Sequence, residues 1–298
     1  MFINKQNQVR SGWLIFIALV IVLIGQGLFM LPGVTLVSII EISSGEISME
    51  MDGSSMSNPW MILLTQGAGT IGGIAATLVV WRAINKKYPP ELGLRGQGKD
   101  LFFGLVLGAV SITVIFFILL ATGNITLLNS LLSPQITLFT FTYLILFILV
   151  GFFEEMFFRG YVMKTMAERG NNKWVIYVVS ALVFSIVHGT NPNVSVFGLI
   201  NIALVGILFA YMFDVTRSLL LPIGYHITWN FFQGNVFGFP VSGTAPYGMY
   251  GVDVSEGSDF LTGGSFGLEG GLLATLLIVL GFIATHFYAK GRKERPLF

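Results

Sequence analysis

RAINKKYPPELGLRGQGKD, residues 82–100, separates two apolar runs, 60–81 and 101–121. It carries Arg82, Lys86, Lys87, Arg95 and Lys99, and the adjacent Pro89 and Pro90 forbid a helix from continuing through it. Each flanking run has about the 20 residues that cross a bilayer as a helix. Working outward, six further runs of this kind follow: 12–31 (extendable to Ile40), Ile136 to Gly151, 174–188, 195–213, 219–237 and 271–289. The remaining cations fall only in alternate gaps. Lys5 and Arg10 precede the first run, and Arg159, Lys164, Arg169 and Lys173 follow the fourth. Arg217 follows the sixth, and Lys290, Arg292, Lys293 and Arg295 follow the eighth. The cation-free gaps hold Glu41, Glu46, Glu50, Asp52, Asp253, Glu256, Asp259 and Glu269. Because cytoplasmic loops retain Lys and Arg, this alternation predicts about eight transmembrane helices with both termini cytoplasmic.

Composition agrees. Charged residues make up 10% of the 298 and apolar residues 54%, with mean hydropathy +0.80; a soluble domain carries about 25% charged residues. The expected fold is an all-α, polytopic helical bundle in the cell membrane. Cations segregated by side leave no basic surface for nucleic acid. The absence of cysteine excludes disulfides, thiolate metal sites and a cysteine nucleophile. The run Trp13 to Leu31 is too long for a signal-peptide core and reads as a retained first span. Three regions follow: an N-terminal framework of three spans at 1–135, a four-span core at 136–237, and a segment 238–298 with a Gly-rich, flexible outer loop, the last span and a basic tail. The spacings Gly69-x-x-x-Gly73 and Gly104-x-x-x-Gly108 predict close helix packing.

Ionisable residues inside spans are costly, so those present are informative. Phe152-Phe153-Glu154-Glu155-Met156-Phe157-Phe158-Arg159 sets two carboxylates among four phenylalanines. Glu155 and Arg159 are i and i+4 on one helix face and can pair. Glu154 points about 100° away without that partner, and desolvation there suits a general base. Glu154 lies 15 residues before Arg169 and His188 lies 15 after Lys173. If Arg169 and Lys173 mark the inner boundary, both lie about 22 Å along their helices. His226 and Asn230, again i and i+4, follow Arg217 at about 14–20 Å. Four polar side chains then share one layer. If Arg159 marks the boundary instead, Glu154 and His188 are too far apart to cooperate.

A Glu and a His can hold and deprotonate water, and a second His with an Asn amide can donate to an oxyanion, which suffices for amide hydrolysis without a covalent intermediate. The other chemistry open to this set is a metal: Glu154, His188 and His226 are the candidate ligands for Zn²⁺, although no His-Glu-x-x-His helix is present.

Glu154-Glu155-x-x-x-Arg159, Phe184-x-x-x-His188 and His226-x-x-x-Asn230 resemble, in order and on successive helices, the three motifs of the CPBP intramembrane proteases, the family of CAAX proteases, bacteriocin-processing enzymes and Abi proteins. The resemblance covers about residues 136–237. It implies an intramembrane endopeptidase in which Glu154 and His188 activate water, His226 and Asn230 stabilise the oxyanion, and Glu155 and Arg159 support them. The family has been described both as metalloproteases and as glutamate-dependent peptidases. The implied partners are membrane lipid and a small peptide or membrane-anchored substrate, such as a bacteriocin or pheromone precursor. Two competing readings are a non-proteolytic membrane adaptor or bacteriocin-immunity protein of the same fold, and a transporter with a Glu/His proton relay. No inverted repeat supports the transporter.

Overall fold

The computed structural model describes residues 2–4, 7–44, 59–244, 247–292 and 296–298. Most of the acidic segment expected at 41–58, together with Lys5, Lys293 and Arg295, lies outside the described residues. Helices follow the apolar runs closely. They are α1 (Ser11–Ser44), α2 (Trp60–Ile84), α3 (Gly98–Ala121), α4 (Leu138–Glu168), α5 (Lys173–Val187), α6 (Val196–Thr216), α7 (Leu220–Phe231) and α8 (Leu272–Ala289). Among the described residues seven are long and apolar enough to cross a membrane, α5 being counted through its 3-10 extension to Thr190. Outward faces are apolar, with Phe102, Leu182, Ile186 and Val279 exposed. The chain is an all-α, multi-pass membrane bundle.

The run expected as the seventh span is the exception. Its α-helix has 12 residues and continues as a π-helical turn, Phe232–Val236. Ile223, Gly224, Tyr225 and His226 are all buried, and α7 packs most heavily on α3. A helix walled by protein has no need to match bilayer thickness. The fit between α3 and α7 depends on glycine: a Cβ at Gly104 would stand 2.2 Å from the Leu221 carbonyl oxygen, and one at Gly108 2.4 Å from that of Tyr225. The predicted Gly104/Gly108 packing face is therefore the surface that carries α7. Likewise Gly73 meets the Phe153 ring of α4, and Gly69 meets Met30 of α1.

The fourth span runs to Glu168 and does not stop at Gly151. Arg159, expected in a cytoplasmic gap, is fully buried inside α4. Pairing neutralises it, which is the condition for a cation within a span. Other cations do gather at one end of the bundle. Lys87 pairs with Glu168, Lys164 donates to the Glu91 carbonyl, Lys173 pairs with Asp214, and Arg292 pairs with Asp100. At the opposite end, strand β1 (Thr126–Leu127) pairs antiparallel with β2 (Val252–Asp253). The Gly-rich stretch, expected as a flexible loop, packs down there as a cap: Phe237, Phe239, Val241, Phe266 and Leu268 are buried. These buried apolar side chains, three around its start and two near its end, oppose the conformational freedom its glycines confer.

Candidate active site

Midway along α4, at Glu154, the helix changes from α to π geometry, and the π stretch covers Glu155–Met163. Such a widened turn lets consecutive carboxylates face different neighbours, and π segments concentrate at functional sites. Arg159 Nη1 donates to Glu155 Oε1 at 3.0 Å, as the i, i+4 spacing predicts, with both residues excluded from solvent. Arg159 Nη2 donates to the Gly206 carbonyl of α6 at 3.2 Å. Its guanidinium lies over the Phe184 ring at 4.4 Å and the Phe209 ring at 5.1 Å. The apolar setting that makes Glu155 costly thus also supplies cation–π contacts to its partner.

His226 Nδ1 lies 3.0 Å from the same Glu155 oxygen. A carboxylate only accepts, so Nδ1 carries the proton and Nε2 turns away from Glu155. Nε2 stands 3.6 Å from Glu154 Oε2, beyond direct hydrogen-bond range. Glu154 Oε2 is buried without a hydrogen-bond partner in the protein. His188 closes α5, and its Nδ1 donates to the Phe184 carbonyl at 2.8 Å, which leaves Nε2 as an acceptor.

Glu154, His188, His226 and Asn230 line one cavity of about 180 Å³. The remaining wall includes Phe147, Trp229 and Ile278, and Val241, Ser242 and Glu269 contribute from the cap. A second hollow of about 250 Å³, bounded by Leu19, Val22 and Gln26 of α1, shares Glu154, His188 and Asn191 with the first. The four side chains expected in one layer are thus brought together, and the cavity extends from them towards the cation-free end.

Three features lay beyond sequence reasoning. One is the Glu155–His226 contact, which joins residues 71 positions apart. Another is Asn201, a polar residue within α6, whose amide donates to the carbonyls of Glu269 and Gly271 at 2.8 and 3.0 Å; its position inside an apolar run was the available signal. The third is Glu269 itself, which resembled the other loop acids. It is buried, accepts from Gln233 Nε2 and Ser242 Oγ, and burial pushes its carboxyl up to about 7 against the opposing pull of those hydrogen bonds.

Among the described residues no three His, Asp or Glu side chains stand together as a set of metal ligands.

Residues 135–232 match the family described as Type II CAAX prenyl endopeptidase Rce1-like. No curated protein and no solved structure matches the chain. The matched segment holds all seven motif residues and ends before the cap. The central third of the chain, residues 135–232, matches the CAAX-protease family that its three motifs resemble.

Proposed function

We propose that this protein is an intramembrane endopeptidase in which Glu154 and His188 activate a water and His226 and Asn230 stabilise the oxyanion. The observation that carries the reading is the single cavity lined by all four. The unpartnered Glu154 Oε2 and the His188 Nε2 lone pair are the two acceptors suited to a nucleophilic water. Glu154 takes one proton as the water attacks the carbonyl carbon, and returns it to the leaving amine. His226 donates to the oxyanion from Nε2 while Nδ1–H stays on Glu155, so it acts as an imidazolium. The charges of Glu154, Glu155, Arg159 and His226 then cancel, which is how a low-dielectric site tolerates them. Asn230 supplies the second donor through its amide.

The substrate is a small peptide or a membrane-anchored chain, and the bundle sits in the cell membrane with its cation-rich end and both termini cytoplasmic. The test is Glu154→Gln in purified full-length protein, assayed against a defined peptide library. Cleavage falls below detection while the melting temperature stays within a few degrees of wild type. Retention of the protein's cellular role by Glu154→Gln would reject the protease reading and leave the adaptor. Loss of cleavage on chelation, restored by Zn²⁺, would reject the metal-free route.

A further inference from the structure

We propose that Glu269 is a specificity-determining residue, a cation-accepting subsite that binds the Lys or Arg side chain of a peptide substrate. The proposal rests on the peptidase reading of the same cavity. Glu269 is 8% exposed and lines the cavity together with Glu154, His188, His226 and Asn230. Among the described residues its carboxyl oxygens are met by neutral donors: the Gln233 amide, the Ser242 hydroxyl and the backbone N–H groups of Ser242 and Glu269. Among the described residues no cation forms an ion pair with it. Arg159 is held by Glu155 and Gly206, and His226 Nδ1 by Glu155. Buried carboxylates are normally paired, and one facing a cavity without its counter-ion points to a ligand that brings one.

The surrounding structure is built to hold this carboxyl in place. Asn201 fixes the backbone on both sides of Gly270, and Thr275 Oγ1 donates in turn to Asn201 Oδ1 at 2.7 Å. Gln233, which supplies the strongest neutral contact, is itself fully buried on the π turn that continues α7. The same helix that carries His226 and Asn230 thus sets the position of Glu269. Phe147, Trp229 and Ile278 give the apolar wall along which the methylene stem of a long cationic side chain lies. A purely structural role, a neutral carboxyl tying the cap to α7, would leave substrate choice untouched, and this difference is measurable.

The probes are acetylated, amidated peptides in which Lys, norleucine or Glu scans each position of one apolar sequence. An additional norleucine series with a free amino terminus separates side-chain from terminal ammonium. At one position relative to the cut, wild type prefers Lys to norleucine by about tenfold in kcat/KM and rejects Glu, and Glu269→Gln brings the Lys/norleucine ratio to about one. An unchanged ratio in Glu269→Gln overturns the proposal, as does a preference shown only by the free amino terminus. Should Glu269→Gln fail to fold, the wild-type series decides alone: equal cleavage of the Lys and norleucine peptides at every position overturns it. Should wild type cleave nothing, the peptidase reading fails separately. Anisotropy with fluorescein-labelled Lys and norleucine peptides, on wild type and Glu269→Gln, then decides the subsite, and equal affinities in wild type overturn it.

Discussion

A single oxygen, Glu155 Oε1, receives both Arg159 and His226. Removing Arg159 leaves the Glu155 carboxylate without its cation in a site excluded from solvent. Arg159→Ala should lower stability by about 3–5 kcal/mol, read as reduced abundance and earlier thermal unfolding in detergent. Arg159→Lys should recover only part, because the two guanidinium nitrogens serve two acceptors, Glu155 and the Gly206 carbonyl, and an ammonium cannot reproduce that fork. Wild-type melting behaviour in Arg159→Ala would refute the burial. Asn230→Ala tests the oxyanion role on a different axis: about 2.7–4 kcal/mol lost from kcat/KM, with the fold intact. The Glu155–Arg159 pair was legible in the sequence because helical spacing dictates it. The second partner was not, because nothing local links residue 155 to residue 226.

Helices meet here through missing side chains. The carbonyls of Leu221 and Tyr225 occupy the space that any Cβ at Gly104 or Gly108 would need. Gly108→Leu should therefore displace α7, and with it His226 and Asn230, costing at least the roughly 1–3 kcal/mol of an overpacked core along with cleavage. Gly27→Ala, where nothing lies within 4 Å, should leave both unchanged and serves as the control. Equal behaviour of the two variants in a thermal melt would remove the close-packing argument. At this scale the sequence was a good guide wherever an apolar run and a helix coincide, as for α1, α2, α3, α6 and α8. It misplaced the end of α4 because Arg159 reads as a boundary until its partner is seen. It mistook the cap for a loose loop because ten glycines between 238 and 271 outweigh, by eye, the scattered Phe and Leu that anchor it. The shortness of α7 and the π stretch of α4 have no signature in hydropathy at all.

The whole bundle is polar in the electrostatic sense, with cations at one end and the cap at the other. Reporter fusions at residues 128 and 255 should read non-cytoplasmic, and those at 92 and 171 cytoplasmic; the reverse result at 255 would invert the arrangement. Glu269 adds a pH signature. Burial raises its folded-state value to about 7 from an ordinary 4.5, so the native protein holds a proton that the unfolded chain releases. Its contribution is most favourable below about 4.5 and is lost as pH rises to 7, on the order of 3 kcal/mol in total. The melting temperature of Glu269→Gln relative to wild type should therefore climb between pH 5 and pH 8, and a flat difference would contradict the burial. Finally, α7 has a consequence for biosynthesis. Its 12 α-helical residues carry Pro222, His226 and Asn230. Even with the π turn to Val236 it stands at the short limit of a span, and its polar residues weaken its partition from the translocon into lipid. It packs chiefly on α3 and α4, which precede it in the chain, and the last wall of the cavity arrives only with Ala274 and Ile278 of α8. The nascent chain thus carries Glu154, His188, His226 and Asn230 through synthesis before the cavity that encloses them exists.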